Sequence, residues 1–231
     1  QDIILGCYFL TKITAGKKGE GMIFSDVNEV MAAVELEKLH IQSPIKVNYL
    51  GEIRETSAGK IIFNEKIPEG LRYNGDVMNS KNLENLISIC FEKFGIDQTA
   101  ELADILKEIG YKYVSISGLS IAAADFQTPE EKYEQLELAT NEVKQVYKFY
   151  QKGLITDEER YHQTCEIWSK CKNQITDMLV SKYKEENHVR YMVDSGARGK
   201  WGNVTQMAGM KGLVINPSGK TIELPIKSNL I

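Results

Sequence analysis

TPEEKYEQLELATNEVKQVYKFYQKGLITDEERYHQTCEIWSKCKNQITDMLVSKY, residues 128–183, decides the fold class. Two long segments flank the short KGLI, and each opens on the Thr-x-x-Glu pattern of a capping box: Thr128 with Glu131, and Thr156 with Glu159. Pro129 suits a first helical position, where the missing amide has no intrahelical partner anyway. On the first segment Tyr133, Leu136, Thr140, Val143, Tyr147 and Tyr150 recur at spacings of three and four. On the second, Tyr161, Cys165, Trp168, Ile175 and Leu179 do much the same. The pattern predicts helices over 129–151 and 157–183, with Gly153 as a left-handed cap that sends the chain back antiparallel. So narrow a seam cannot wrap a core, so the hairpin is expected to project into solvent or lie against a partner. Its tip, 153–161, carries Asp157, Glu158, Glu159 and Arg160, which reads as a solvated face or as a docking surface.

Upstream, residues 3–10 are an apolar run suited to a strand or short helix, and 15–21 form a glycine-rich loop. Ser25 is placed to cap a helix bearing Val27, Val30, Met31 and Val34. Residues 46–50 and 60–63 read as strands of a small sheet, with Gly59 in the turn. Ser80 and Asp97 are expected to cap two helices that stop at Gly95 and Gly110. Residues 111–116 then alternate as a strand, and 118–124 is a small-residue stretch that permits close packing. After the hairpin, KEENH (184–188) reads as mobile, a short helix is expected near 203–211, and 213–215 and 221–226 flank an NPSG turn as a β-hairpin. The fold class is therefore α+β, mainly helical.

Composition fits an ordinary globular chain: 231 residues, 42% hydrophobic, net charge −4. Four cysteines show no CxxC spacing, which fits a reducing compartment. No apolar run approaches the roughly 20 residues of a membrane span. His40, His162 and His188 lie far apart, and no phosphate loop, nucleophile elbow or aspartate cluster is present, so no catalytic residue and no metal ligand is assigned. One stretch departs from this plainness. Residues 191–212, YMVDSGARGKWGNVTQMAGMKG, hold five glycines, and from 191 to the end Arg198, Lys200, Lys211, Lys220 and Lys227 outweigh Asp194 and Glu223. Arg198, between Gly196 and Gly199, offers a fork of donors on a thin backbone, suited to phosphate oxygens.

Five ordered motifs extend the reading: QDIILGCYFLT (1–11), KGEGMIF (18–24), TSAGKIIFNEKIPEGL (56–71), GLITDEERYHQTCEIW (153–168), and 191–230 with its DSGARG, QMAGMKGL and IELPI elements. Together they closely resemble the β′ subunits of bacterial DNA-directed RNA polymerase, along essentially the whole chain. The resemblance implies residues 1–95 as the later pore domain, 96–187 as the funnel domain with the secondary-channel rim helices at 129–183, and 188–231 as the segment leading to the bridge helix. It implies that Arg198 approaches the phosphates of the incoming nucleoside triphosphate, and that Gln206, Gly209, Met210 and Gly212 belong to the loop supporting the active site. Glu158, Glu159, Arg160 and Tyr161 become a docking surface for transcript-cleavage and other channel factors.

Further partners implied are the β, α, ω and σ subunits, with DNA and RNA reached through the complex, in the cytoplasm and with no membrane. No cofactor is expected in this chain; the magnesium of the complete enzyme would be held by residues outside it. The chain, opening on QDIILGCYFL without Met, reads as a piece of a longer polypeptide, inactive alone. Its apolar start is then expected to be partly unsupported, and 191–212 poorly held. The alternative is an independent helical-hairpin adaptor with no catalytic role.

Overall fold

In the computed structural model, which describes residues 1–72 and 75–231, the apolar opening run becomes helix α1 (Asp2–Thr11). The chain forms two compact units, Gln1–Leu119 with Tyr191–Arg198, and Ser120–Arg190 with Gly199–Ile231. The architecture is α+β and mainly helical.

In the first unit, α1 is apolar on nearly every side and is buried accordingly, with Leu5, Cys7, Tyr8 and Leu10 inside, so its expected exposure does not occur. It packs against α3 (Ala58–Lys66) and α4 (Ser80–Ser117). Two glycines expected to break structure serve close packing instead. A Cβ on Gly59 would stand 1.9 Å from the Leu10 carbonyl oxygen, and one on Gly110 would stand 2.5 Å from Ile3 Cα. Residues 60–63 are therefore helical, capped by the Ser57 hydroxyl accepting from the Lys60 amide. Residues 111–116 are not a strand but the continuation of α4 beyond Gly110 to Gly118, whose φ of 59° ends it. Gly95 does interrupt α4, at φ 78° and ψ −170°. Caps differ by one residue from expectation: Asp26 caps α2 (Val27–Glu35) and Asn79 caps α4, each accepting from an amide three residues on, which Ser25 and Ser80 are not placed to reach.

The first unit's sheet runs β1 (Ile23–Phe24), β2 (Pro44–Tyr49), β3 (Glu52–Ser57), with β1 parallel and β3 antiparallel to β2. Leu50 and Gly51 join β2 to β3, both at positive φ, the twist that matches a tight hairpin. Charged Glu52, Arg54 and Glu55 on the edge strand β3 discourage further pairing.

In the second unit, α5 (Glu131–Gln151) and α6 (Asp157–Lys182) form the antiparallel hairpin, with Gly153 at φ 69° in the link. The Thr156–Glu159 capping box forms in full. The Thr128–Glu131 box does not: Thr128 Oγ1 accepts from Asn229 Nδ2 at 3.2 Å, and Glu131 pairs with Lys182. The expected seam is buried at Leu136, Trp168, Ile175 and Leu179, whereas Tyr133, Tyr147 and Tyr150 are exposed. Lys132, Leu136, Ala139 and Val146 are buried on α5, and Arg160, Thr164, Trp168, Cys171, Ile175 and Leu179 on α6, while Tyr133 is 66% exposed.

The hairpin does not stand bare, because α8 (Trp201–Val204), a π-helical turn (Thr205–Gly209) and the antiparallel pair β4 (Gly212–Ile215) and β5 (Thr221–Ile226) lie along α6. Residues 121–124, expected to pack closely, are exposed, Ile121 among them. A further helix, α7 (His188–Asp194), opens on the Asn187 side chain, which accepts from the Val189 amide at 2.8 Å. Among the described residues no helix is long and apolar enough to cross a membrane.

Candidate functional site

The glycine-rich stretch 191–212 is divided between the units. Its first part, Tyr191–Arg198, belongs to the first unit and is anchored there rather than loose. The Tyr191 ring meets Tyr8 edge-on at 5.7 Å, Lys12 Nζ lies 4.2 Å from its centroid, and Gln42 Nε2 donates to its hydroxyl at 3.4 Å. Ser195 is fully buried, and its carbonyl accepts from the Ser80 amide at 2.8 Å. Gly196 (φ 70°) passes so near the start of α4 that a Cβ would stand 2.9 Å from Ser80 Cβ. Ala197 is buried, whereas Arg198 is exposed, its Nη1 donating to Gln1 Oε1 at 2.7 Å. A firmly held backbone thus presents a solvated guanidinium, which can exchange that neutral partner for an anion.

The remaining part, from Gly199 (φ 77°), belongs to the second unit. Gln206 is half-buried, and its carbonyl accepts from the Leu230 amide at 3.1 Å. Gly209 packs on α6 where a Cβ would come 2.8 Å from Ile175 Cγ2. Met210 is fully buried, and Gly212, at φ 84°, begins β4. Thr205 and Thr176 share a hydroxyl–hydroxyl bond of 2.9 Å that ties the π-helical turn to α6. Asn229 closes the loop: it donates to the Met207 carbonyl at 3.2 Å and accepts from Lys132 Nζ at 2.9 Å. Neither Asn229 nor Lys132 was marked by sequence, since 97 residues separate them and a charge on a helix normally reads as solvated.

At the other end of α6, the four tip residues have different environments. Glu158 is exposed. Glu159 is exposed too, but its carboxylate accepts from the Thr156 amide at 2.7 Å, and that bond, then the Thr156 hydroxyl, holds it below the usual carboxylate range. Arg160 is nearly buried: Nη1 donates to Glu223 Oε2 at 2.6 Å and to the Tyr147 hydroxyl at 2.9 Å, and Nε to Asp157 Oδ1 at 3.0 Å. Its guanidinium also lies 5.0 Å from the Tyr147 ring and 5.5 Å from that of Tyr150. The Glu223 carboxylate, ahead of Asp157, pushes its already high pKa further up. Tyr161 donates to the Thr221 carbonyl at 3.0 Å. Arg160 and Tyr161 thus hold β5 to the hairpin tip, leaving Glu158 and Glu159 as its accessible charges. Sequence missed Glu223; the aromatic pair Tyr147 and Tyr150 opposite Arg160 was the available signal.

Among the described residues no three His, Cys, Asp or Glu side chains gather where a metal could be held.

Residues 1–126 match the family model of RNA polymerase Rpb1, domain 3, and residues 155–231 match that of RNA polymerase Rpb1, domain 4. The chain is 41% identical over 230 residues to the DNA-directed RNA polymerase subunit beta' of Desulforamulus reducens, covering 99% of this chain and 19% of that protein. For the subunit of the same name from Fusobacterium nucleatum the identity is 39%, over 99% of this chain and 17% of that protein. For Clostridioides difficile it is 38%, over 99% and 21%. The chain thus spans about a fifth of the length of these curated relatives. Two domain models in series and near-complete coverage of the chain lead to one assignment: it belongs to the RNA polymerase Rpb1 family, alongside bacterial beta' subunits.

Proposed function

We propose that this chain works as a stretch of the beta' subunit of a DNA-directed RNA polymerase, the nucleotidyltransferase complex that copies DNA into RNA. The observation that carries the reading is the 38–41% identity to beta' subunits over 99% of the chain. On this reading residues 1–95 are pore domain, 96–187 funnel domain with α5 and α6 as rim helices of the secondary channel, and 188–231 the approach to the bridge helix. The partners are the other polymerase subunits in the cytoplasm, and magnesium is held by parts of the subunit that this chain does not cover.

Arg198 is proposed to contact the phosphates of the incoming nucleoside triphosphate, supported by its exposed guanidinium on an anchored backbone. Gln206, Gly209, Met210 and Gly212 are proposed to brace the neighbouring active-site helix, supported by the burial of Met210 and by the close approach of Gly209 to Ile175 of α6. Glu158 and Glu159 are proposed as the contacts for channel-inserting factors, with Arg160 and Tyr161 holding the tip in shape.

The test is a chimera in which this chain replaces the matching stretch of a relative's beta' subunit. Assembly with the other subunits and template-directed synthesis are expected; failure to co-purify with them would overturn the subunit reading. In that chimera Arg198→Ala is expected to raise the apparent KM for nucleotides about tenfold, the scale of one charge-assisted contact, with assembly unchanged. An unaltered KM removes the phosphate role and leaves the subunit reading standing.

A further inference from the structure

Lys132 stands in the first turn of α5 against several local preferences at once. It is 2% exposed, although lysine is almost never fully buried unless paired, and among the described residues it has no carboxylate partner. It also sets a cation at the positive end of a helix dipole. Burial pulls its pKa below the usual lysine range. Real sequences break such local rules chiefly at functional sites.

What holds it there is Asn229, whose Oδ1 accepts from Lys132 Nζ at 2.9 Å. An ammonium has donors only, so it fixes which way round the Asn229 amide lies. The Nδ2 end is then turned toward three acceptors: the Met207 carbonyl at 3.2 Å, the Thr128 hydroxyl at 3.2 Å and the Ile231 main-chain oxygen at 2.6 Å. Met207 lies in the π-helical turn Thr205–Gly209, which ends where Met210 becomes extended (φ −144°, ψ 148°), so the last carbonyls of the turn need donors from elsewhere. The tail supplies them: besides Asn229, the Leu230 amide donates to the Gln206 carbonyl at 3.1 Å and the Ile231 amide to that of Met207 at 3.3 Å. In the other direction the Lys211 amide donates to the Ser228 carbonyl at 3.1 Å. All of these residues belong to the second unit. Lys132 therefore heads a chain of hydrogen bonds that ends on the backbone of the 206–212 loop.

We propose that Lys132 is a positioning residue for nucleotide addition: by fixing the Asn229 amide it holds the Met207 carbonyl, and with it the shape of the loop that braces the active-site helix. This rests on the role proposed above for Gln206, Gly209, Met210 and Gly212. Lys132 acts only through Asn229, so its removal slows the catalysed step and leaves nucleotide binding alone. That signature is the reverse of the one expected for Arg198, whose loss raises KM.

The test uses the beta' chimera, with rates taken per assembled complex. Lys132→Met keeps an unbranched buried stem without the ammonium. Asn229→Asp gains an ion pair with Lys132 but turns an oxygen instead of an NH2 toward the Met207 carbonyl. Both should lower kcat about three- to tenfold, the scale of one hydrogen bond, with the KM for nucleotides changed by less than about twofold. In both, hydrogen exchange in peptides covering 205–212 should quicken about threefold or more. A merely structural tie would instead lower the yield of assembled complex and leave kcat per complex unaltered. Unaltered kcat in Lys132→Met and Asn229→Asp overturns the proposal, as does a fall in kcat without faster exchange. Met210→Ala, a change in the loop itself, tells the two failures apart. If it lowers kcat where the other variants do not, the loop keeps its role without Lys132; if it too leaves kcat unaltered, the loop's role falls as well.

Discussion

A Cβ on Gly6 would stand 1.9 Å from the Gly110 carbonyl oxygen, so α1 and the second half of α4 cross backbone on backbone. No side chain can be added there without moving a helix.

Gly6→Ala is therefore expected to cost about 3 kcal/mol or more, the upper range for overpacking, read as a lower midpoint in urea. Gly202→Ala is the control: it lies in α8 with nothing within 4 Å of an added Cβ and no positive φ, so it should be neutral or slightly stabilising. Equal effects of the two would contradict the close crossing.

Arg160 joins α6 to α5 and β5 through Glu223, Asp157 and Tyr147. Arg160→Ala should destabilise the second unit by about 2 kcal/mol; Glu223 is left without its cation, while solvent screens the more exposed Asp157 arm. Arg160→Lys should recover little, since an ammonium cannot make the forked set or lie flat on two rings. Hydrogen exchange of β5 amides reads the result, and full rescue by lysine would refute the geometry.

Glu159 gives a pH-dependent contribution of known sign. Its folded pKa is depressed by the Thr156 amide and hydroxyl, so the stabilisation is present above the ordinary carboxylate pKa and lost as pH falls through the folded value. Glu159→Gln keeps a capping acceptor but cannot titrate. Unfolding midpoints taken from pH 6 to 3 should fall less steeply in the variant; parallel curves would show that the box carries no linkage.

Thiol reactivity should follow burial. Burial pushes the Cys7 thiol up to about 12 and raises Cys171 and Cys165 as well, but Cys165 is only half-buried and so the most accessible of the three. Under native conditions at pH 8, iodoacetamide should alkylate Cys165 first and Cys7 last, as mass spectrometry would show. Early labelling of Cys7 would mean that α1 opens readily.

The hairpin was legible from residues 128–183 because local rules suffice for it: the Thr156 box, Gly153 and helical spacing act within a few residues. The errors came where tertiary contact decided. Gly59 and Gly110 look like stops in a sequence, and only the presence of α1 beside them shows that they clear space for another backbone. Lys132 and Arg160 look solvated until Asn229 and Glu223 arrive from far along the chain. For the candidate site, the exposed fork of Arg198 was readable from its flanking glycines.

The two units are threaded through each other in the chain, not laid end to end. The first lacks Tyr191–Arg198, with its Tyr191 and Ser195 anchors, until the whole α5–α6 hairpin has been synthesised, and the second finishes only after that piece has been delivered. Emerging from the ribosome, neither can be completed independently of the other's sequence. A cut between 119 and 120 would therefore leave 120–231 with every residue of the second unit, while 1–119 would lack the Tyr191–Arg198 piece of the first.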